Sequence, residues 1–339
     1  MCLNAITDAE LKRSIAATLS DYRHVPLLGM NSQHVTRWIN QFNQEDRRFI
    51  LEETDRILKI GYLNNQDYEK IVTENANDQE NEWLIQNAGF LDIQENGFSQ
   101  SEIIQALYDK CNEEINVIKR SSSQAFVSSF ETFIYFDDVC FSGKKASDDI
   151  IWLIDRYNLR DIEIIFYFMG GHTSATWQIQ QNISRAFPNR GIALRVGDGE
   201  LINIENRLRY NASSEVFWPI EENAEIPPGT RNPENYRGTY RSGFVVSDVF
   251  PNEQRRNRLE SILTAKGFEI LSHSDEPKRS LKPLGFSTFP GVGFGGTMFT
   301  YRNCPNNVPL AFWWGNYEQK GGRALECWYP LMKRIVYNR

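Results

Sequence analysis

The sequence has few of the residues that build metal sites and disulfide frameworks. Its 339 residues include 5 cysteines and 4 histidines, and no two cysteines form a Cys-x-x-Cys pair. A structural zinc site is therefore not expected, and no residue is assigned as a metal ligand. The isolated thiols favour a reduced, cytoplasmic protein in which each cysteine acts as a small buried apolar residue.

Long apolar runs and an excess of positive charge are also missing. The longest apolar stretches, around residues 162–170 and 308–315, have the length of strands, so no transmembrane helix is expected. The first residues show no basic segment before an apolar run, so no signal peptide is expected. The formal net charge of −7 argues against indiscriminate binding to nucleic acid. We therefore expect neither a membrane nor nonspecific nucleic acid as a partner.

The charges that are present lie unevenly along the chain. Residues 41–98 hold 13 acidic and 5 basic residues, whereas residues 231–339 hold 16 basic and 9 acidic residues. The basic end could bind a polyanion, or it could pack against the acidic end of the same chain. The sequence does not decide between these two alternatives.

Apolar residues are plentiful enough for a large core, and their pattern changes along the chain. Hydrophobic residues make up 41% of the sequence and aromatic residues 13%. Residues 1–85 show helical periodicity, interrupted by a polar stretch over residues 73–82 that we interpret as a solvated connection. Residues 86–225 alternate strands with helices, and residues 226–339 predict a C-terminal α+β part rich in aromatic residues.

The middle part predicts a parallel sheet. Residues 90–94, 132–136, 163–168 and 192–196 are typical of strands, and helical segments separate them. Strand, loop and helix repeated in this order imply right-handed crossovers between parallel strands. The predicted fold class is α/β, with a central parallel sheet between an N-terminal helical region and the C-terminal α+β part.

The C-terminal part predicts two strands and one helix. The helix covers residues 255–266 and is closed by Gly267, with strands over residues 244–246 and 268–271 on either side. The glycine-rich stretch 291–296 has no helix behind it, which excludes a dinucleotide-binding fingerprint. We interpret it as a close crossing of backbones or as a loop over a ligand site.

Two groups of large side chains in this part have structural explanations. Trp313, Trp314 and Trp328 could stack on a base, but core packing is the favoured interpretation. Three arginines between residues 255 and 258 predict a solvated helix face.

One segment combines the residue types that a sugar phosphate needs. The apolar strand 133–136 is followed by Asp137 and Asp138, and then by the small polar stretch Ser142–Lys145 at the start of a helix. Open parallel sheets bind ligands at the carboxyl ends of their strands. Backbone N–H groups at a helix N-terminus, a flexible glycine and two lysines suit a phosphate. Because paired carboxylates suit the two vicinal hydroxyls of a ribose, the segment predicts a ribose phosphate site in the loop after the strand.

Three other interpretations of this segment compete with a ribose phosphate site. A Walker A loop requires a glycine where Asp138 stands, so it is excluded. A phosphoaspartate fold also places acids at strand ends, but it gives no reason for the Ser-Gly-Lys sequence directly after them. A surface loop in which Asp and Ser side chains serve as helix caps remains the structural alternative.

Residues 134–147 resemble the ribose-phosphate loop of type I phosphoribosyltransferases, with apolar residues, two acids, two apolar residues and a Ser-Gly motif. The resemblance implies that Asp137 and Asp138 are the catalytic acids at the ribose 2′ and 3′ hydroxyls. It also implies that Phe141–Lys145 surrounds the 5′-phosphate and that Mg²⁺ accompanies a diphosphate. Phe141 and Lys145 replace the small hydroxyl residues that are usual there, and this departure bears on transfer rather than on ligand binding.

Two further segments are candidates for holding the diphosphate, and one histidine is a candidate base. Gln94–Gly97 begins at the last residue of a predicted strand, and Lys278–Lys282 supplies three cations that a solvated basic loop would explain equally well. His172 follows another strand, where it serves either as a base or only as the start of a helix. The predicted ligand-binding residues are Phe141, Ser142, Gly143, Lys144, Lys145, Gln94, Gly97, His172, Lys278 and Lys282.

A broader resemblance covers most of the chain and rests on segments 37–42, 90–94, 97–100, 283–286 and 303–310. Together with the two acids, these resemble phosphoribosyltransferase-like effectors of bacterial conflict systems, some of which accompany retron reverse transcriptases. The resemblance implies an antiviral defence effector that binds phosphoribosyl diphosphate or a nucleotide, with glycosyltransferase-type transfer or cleavage at the anomeric carbon. It also implies a defence-system protein partner such as a reverse transcriptase.

The alternative function is a non-catalytic module that senses a nucleotide or binds a partner. The two functions differ in one requirement, because catalysis needs a second anion site for the departing diphosphate and sensing does not.

Overall fold

The computed structural model describes residues 6–95, 97–111, 114–197, 202–207, 214–219, 225–238 and 247–336. Within them the chain forms two compact units, one from residues 1–64 with 204–336 and the other from residues 65–203. The boundaries predicted after residues 85 and 225 differ from the ends of these units. The chain enters the second unit within the predicted helical region, at residue 65, and leaves it at residue 203.

The helices and strands follow one another in the order that a sheet with helical crossovers requires. In chain order they are α1 (Asp8–Thr18), α2 (Ser32–Ile39), a 3₁₀ helix (Gln44–Asp46), α3 (Arg47–Gly61), β1 (Tyr62–Leu63), α4 (Asn65–Asn77), α5 (Gln79–Asn87), β2 (Gly89–Asp92), α6 (Ser99–Tyr108), β3 (Asn116–Lys119), α7 (Gln124–Val127), β4 (Thr132–Cys140), α8 (Lys144–Tyr157), β5 (Ile162–His172), α9 (Ala175–Ala186), β6 (Ile192–Val196), β7 (Ile202–Ile204), a 3₁₀ helix (Pro233–Tyr236), α10 (Glu253–Ser272), β8 (Phe299–Thr300), α11 (Leu310–Trp313) and α12 (Arg323–Glu326).

The helical start is confirmed, and one detail of it is wrong. Thr7 begins α1 with a capping box, in which its side chain accepts from the Glu10 N–H and the Glu10 carboxylate accepts from the Thr7 N–H. The apolar face of α2, which carries Val35, Trp38 and Ile39, is buried. The polar stretch over residues 73–82 is helical rather than a connection, because α4 runs to Asn77 and α5 begins at Gln79. Polar composition there marks the outer faces of two helices.

The predicted parallel sheet is confirmed in the second unit. Its strand order is β3-β2-β4-β5-β6, every neighbouring pair in this order is parallel, and β7 also pairs with β5. The side chains of β4 and β5 that face α8 and α9 form the centre of a core with the apolar face of α8. Representative members of this core are Phe133, Tyr135, Phe166, Ile150 and Leu153.

Strands β4 and β5 are longer than the apolar runs predict. Their pairing continues through Val139 opposite Gly170 and Cys140 opposite Gly171. Asp137 and Asp138 therefore lie inside β4, near its carboxyl end, and not in the loop after it. Backbone hydrogen bonds hold a parallel ladder together whatever the side chain, so polar residues can extend a strand that apolar residues begin.

Helix α10 corrects the predicted helix and strand at residues 255–271. It runs without interruption from Glu253 to Ser272, and Gly267 lies inside it. A Cβ atom on Gly267 would lie 2.4 Å from Cα of Pro283. The glycine thus permits a close approach of backbone and does not end the helix. The strand predicted over residues 244–246 lies outside the described residues.

The glycine-rich stretch of the first unit makes a close backbone crossing, which is one of its two predicted interpretations, and Trp313 and Trp328 pack in the core as predicted. The Leu284 N–H donates to the Val292 carbonyl over 2.8 Å, and the Gly295 N–H donates to the Leu284 carbonyl over 2.7 Å, which makes a close backbone crossing. Trp313 and Trp328 are buried, and their indole N–H groups donate to backbone carbonyls over 2.9 Å.

The arginines of α10 contact acidic residues from the other end of the sequence. Arg255 pairs with the α3 residues Glu52 and Glu53, over 2.9 and 2.6 Å. Arg258 pairs with Asp46 at 2.8 Å, so this part of the basic end packs against the acidic end. Arg256 is buried and pairs with Glu260 over 2.7 Å, which makes the predicted solvated face wrong at this residue.

Among the residues that the structure describes, no helix is both long enough and apolar enough to cross a membrane.

Candidate functional site

Asp137 is the centre of a polar cluster near the carboxyl end of β4. Its Oδ2 atom accepts a hydrogen bond from Nε2 of Gln94 over 2.8 Å and lies 3.6 Å from Nζ of Lys145. Its Oδ1 atom accepts from the N–H of Asp138 over 2.9 Å. Burial alone would raise the pKa of Asp137, but the Lys145 ammonium and hydrogen bonds from Asp138 and Ser99 outweigh this effect and lower the pKa. Asp137 is therefore a buried carboxylate that stays ionised.

Gln94 reaches Asp137 because the first turn of α6 holds it from the other side. Ser99 donates its hydroxyl to Oε1 of Gln94 over 2.9 Å. The side-chain oxygen of Gln100 accepts from the N–H groups of Ile93 and Gln94, over 2.8 and 3.2 Å. Phe98 occupies the N-cap position of α6, and the Ser99 hydroxyl fixes the Gln94 amide.

Gly97 lies beside the same cluster. Its φ of +102° is in the region that favours glycine, and a Cβ atom there would lie 3.7 Å from both Oε1 of Gln94 and Nζ of Lys145. The structure therefore brings together four predicted site residues, Gln94, Gly97, Asp137 and Lys145, at one edge of the sheet.

The loop between β4 and α8 is shaped by Gly143. This residue is the N-cap of α8 and has a φ of +69°. A Cβ atom there would lie 2.6 Å from the carbonyl oxygen of Ala175 and 2.7 Å from Cγ1 of Ile179, so α9 packs directly on the loop. The Lys144 N–H donates to the Ser142 hydroxyl over 3.3 Å, and the exposed Lys144 ammonium pairs with Asp148 at 2.6 Å. Lys144 thus pairs with Asp148, whereas Lys145 is the lysine that lies near Asp137.

Phe141 and His172 pack against each other at the ends of β4 and β5. Their ring centroids are 5.1 Å apart in an edge-to-face arrangement. His172 is buried, and burial lowers its pKa to about 3, so the ring is neutral at ordinary pH. Phe141 thus closes one side of the loop between β4 and α8 by packing on a neutral imidazole.

Three residues beneath the cluster were missed from the sequence: Tyr135, Asp149 and Arg120. Tyr135 donates its hydroxyl to Oδ2 of Asp149 over 3.0 Å, and a guanidinium nitrogen of Arg120 donates to Oδ1 over 3.3 Å. Burial raises the pKa of Asp149 to about 6, against partial opposition from Tyr135, Lys145 and Arg120. The sequence held a signal for Asp149, because its position falls on the apolar face of α8, one turn before Leu153. A carboxylate on that face indicates a buried acid.

The basic segment Lys278–Lys282 belongs to the first unit, whereas the cluster around Asp137 belongs to the second. Lys278 and Arg279 are exposed. Lys282 is buried, and its ammonium donates to the carbonyls of Asn235 and Phe289, over 3.3 and 2.6 Å. Burial lowers its pKa to about 8, with a smaller contribution from Arg279. In the described structure, Lys282 therefore anchors the backbone at Asn235 and Phe289.

The described residues contain no group of three or more His, Cys, Asp or Glu side chains that could hold a metal ion. The donor set around Asp137 is two carboxylates, an amide and an ammonium. An ammonium beside a carboxylate occupies the position that a cation would need. These residues thus fit a Mg²⁺ ion only if a diphosphate supplies most of its oxygen ligands.

The sheet order, the two acids near the end of its middle strand and the glycine loop that leads into α8 define a phosphoribosyltransferase-like fold. The comparison with protein families gives the same result in more specific form. Residues 35–334 match the PRTase-CE family, and the chain belongs to that family. No curated protein matches the sequence.

Proposed function

We propose that this chain binds a ligand containing ribose 5-phosphate, either phosphoribosyl diphosphate or a nucleotide, at the carboxyl edge of the sheet beside Asp137. The observation that carries this proposal is the pairing of a buried, ionised carboxylate with the half-exposed Lys145 ammonium, directly below a glycine-capped helix N-terminus. The Lys145 ammonium at that place attracts a phosphate, and a carboxylate of β4 accepts a hydrogen bond from a ribose hydroxyl.

The two acids have different parts in this proposal. Asp138 is half-buried, so its carboxylate is the better placed of the two to accept hydrogen bonds from ribose hydroxyls. Asp137 orients Gln94 and Lys145 through the contacts of its Oδ2 atom. The 5′-phosphate lies on the Phe141–Lys145 loop, where Lys145 supplies charge in place of the small hydroxyl residue that the resemblance would lead one to expect.

The diphosphate of the ligand lies toward Gln94 and Gly97 and brings Mg²⁺ with it. When bound, that ion neutralises the charge that develops on the departing oxygens as the bond at the anomeric carbon breaks. The residues of this chain position the sugar and the diphosphate, and His172 is too buried and too weakly basic to act as the base at neutral pH.

In the cell we propose a defence role, as an effector of an anti-phage system that works with a protein partner such as a retron reverse transcriptase. The support for it is the resemblance of segments along the chain to such effectors. A nucleotide sensor is the second candidate. The placement of Lys282 supports it, because a buried lysine that holds backbone removes one cation from the second candidate diphosphate cradle.

The first prediction tests the ribose site with Asp138→Asn. Since a hydrogen bond to a charged acceptor contributes about 1.5–3 kcal/mol, the variant should bind ribose 5-phosphate and phosphoribosyl diphosphate with Mg²⁺ at least roughly tenfold more weakly. Isothermal titration calorimetry measures both affinities. The thermal midpoint should stay near that of the wild type, because Asp138 is not part of the core.

Asp155→Asn is the matched control, because it removes the same charge from an exposed position in the last turns of α8. A folded Asp138→Asn protein that binds as tightly as wild type and as this control would contradict the site assignment. Release of diphosphate by the wild type, measured in parallel, separates the transferase from the sensor, which would bind and release nothing.

A further inference from the structure

Arg120 makes an unusual set of contacts just after β3. Its Nε atom donates to the Ile93 carbonyl over 2.5 Å, and its two terminal nitrogens pair with Glu95 at 3.1 Å and Asp149 at 3.3 Å. The guanidinium also lies over the ring of Trp152, 4.2 Å from its centroid. One side chain thus joins the segment after β2 to two residues of α8.

These contacts fix the segment that carries Gln94 and Gly97. Arg120 holds the residues on either side of Gln94, namely the Ile93 carbonyl and the Glu95 carboxylate. The Gln94 amide in turn donates to Asp137. A shift of this segment relative to α8 would move the Gln94 amide and Gly97 away from Lys145, which belongs to α8.

Asp149 is the anchor of this arrangement on α8. It is buried, and its two oxygens accept from different elements, Oδ1 from Arg120 and Oδ2 from the Tyr135 hydroxyl of β4. Lys145 lies one turn before it on the same helix. A buried carboxylate costs desolvation free energy, so its presence in an otherwise apolar helix face calls for a role other than stability.

We propose that Arg120 and Asp149 are positioning residues, which hold the Gln94–Gly97 segment against α8 so that it can receive the diphosphate of the ligand. This inference rests on the proposed function and deepens it, because it assigns the leaving-group side of the site to residues that do not touch the ribose. Arg120 acts through its fork of hydrogen bonds and its stacking on Trp152, which a lysine cannot reproduce.

The test compares two ligands in the full chain. Phosphoribosyl diphosphate with Mg²⁺ needs the Gln94–Gly97 segment, whereas ribose 5-phosphate needs only the loop before α8. Arg120→Gln should weaken binding of the diphosphate roughly tenfold, while affinity for ribose 5-phosphate changes by less than about twofold. Arg195→Gln is the matched control, because Arg195 lies on β6 and pairs with Glu163. Equal losses for both ligands, or no loss, would overturn the proposal.

Two further variants separate positioning from a simple electrostatic field. If Arg120 acted only as a positive charge, Arg120→Lys would restore binding, and Asp149→Asn would strengthen it by removing a negative charge. If the pair acts by positioning, Arg120→Lys should not restore diphosphate affinity, and Asp149→Asn should weaken it. The sign of the Asp149→Asn effect therefore decides between the two explanations.

Hydrogen exchange in the ligand-free protein keeps this test independent of the proposed function. The N–H groups of Ile93 and Gln94, which donate to Gln100, should exchange faster in Arg120→Gln than in wild type. A wild type that binds neither ligand would refute the proposed function, and the exchange result would still stand. Unchanged exchange would show that Arg120 does not hold the segment and would refute the inference.

Discussion

Asp137 and Asp138 are neighbours in the chain but lie in different environments. Asp137 is buried and its Oδ2 atom contacts Gln94 and Lys145, whereas Asp138 is half-buried and its Oδ1 atom accepts from the N–H of Val139. The pKa of Asp137 is lowered despite burial because a cation and several donors surround it. Asp149, one turn further along α8 than Lys145, has too few such partners, and its pKa is raised.

The second prediction concerns how Asp149 makes the stability of the protein depend on pH. Its pKa in the folded protein is about 6, above the usual 3.8, so folding favours the protonated acid. Its contribution to stability is therefore fully present below the usual pKa and is lost as pH rises through about 6. Asp149→Asn should match wild type at about pH 4 and be more stable at about pH 7.5, by up to about 3 kcal/mol.

Thermal denaturation of the two proteins across this pH range measures the difference, with Asp155→Asn as the exposed control. A wild type that is more stable than Asp149→Asn at neutral pH would show that the ion pair with Arg120 outweighs the cost of burial. That result would contradict the raised pKa.

At the scale of elements, α10 shows how a neighbouring segment changes the meaning of a glycine. Gly267 follows a helical pattern, and a glycine there is the common signal for a helix end. The helix continues because Pro283 occupies the space beside Gly267 and the residues after it, Phe268, Ile270 and Leu271, are buried in the helix. Tertiary packing therefore keeps this segment helical, although the glycine by itself favours a helix end.

The third prediction is that Gly267→Ala destabilises the protein, although alanine is the better helix former. The helix-propensity gain of about 1 kcal/mol is outweighed by the clash of the new Cβ with Pro283, which costs about 1–3 kcal/mol or more. The thermal midpoint should therefore fall. Ser261→Ala in the same helix meets no such obstacle and should leave the midpoint almost unchanged. A Gly267→Ala protein that melts at a higher temperature than wild type would refute the close approach.

At the scale of the whole molecule, the chain builds two cores from three stretches of sequence. Residues 65–203 form the sheet unit without a break, whereas the first unit joins residues 1–64 to residues 204–336. Ion pairs such as Arg255 with Glu53 and Arg258 with Asp46 connect the two stretches of the first unit. Each unit has its own buried residues, so each is expected to unfold cooperatively.

The fourth prediction follows from this division. Scanning calorimetry should resolve two transitions, and a destabilising change in one unit should shift only one of them. Gly143→Ala introduces a Cβ 2.6 Å from the Ala175 carbonyl and should lower the transition of the sheet unit. Gly267→Ala should lower the other. A single transition that both variants shift equally would contradict independent unfolding of the units.

Much of the sheet unit could be predicted because its signals are local. Apolar runs locate β4, β5 and β6, and the order of strands and helices implies parallel pairing whatever the rest of the chain does. The pair Asp137 and Asp138 followed by Ser142–Lys145 predicts a phosphate site from residues close in sequence. Gln94 was predicted from its place at the carboxyl end of a predicted strand, and the carboxyl ends of parallel strands do meet at one edge.

The sequence by itself thus determined the class of fold and, for the polar cluster, the edge of the sheet and four of its residues: Gln94, Gly97, Asp137 and Lys145. Only the tertiary structure decided that β4 continues through both acids, that Gly267 lies within a helix, and that Lys282 is buried. It also revealed Arg120 and Asp149. Each of these depends on a partner distant in the sequence, and the free energy of burial and of long-range hydrogen bonds is set by such partners rather than by the residue itself.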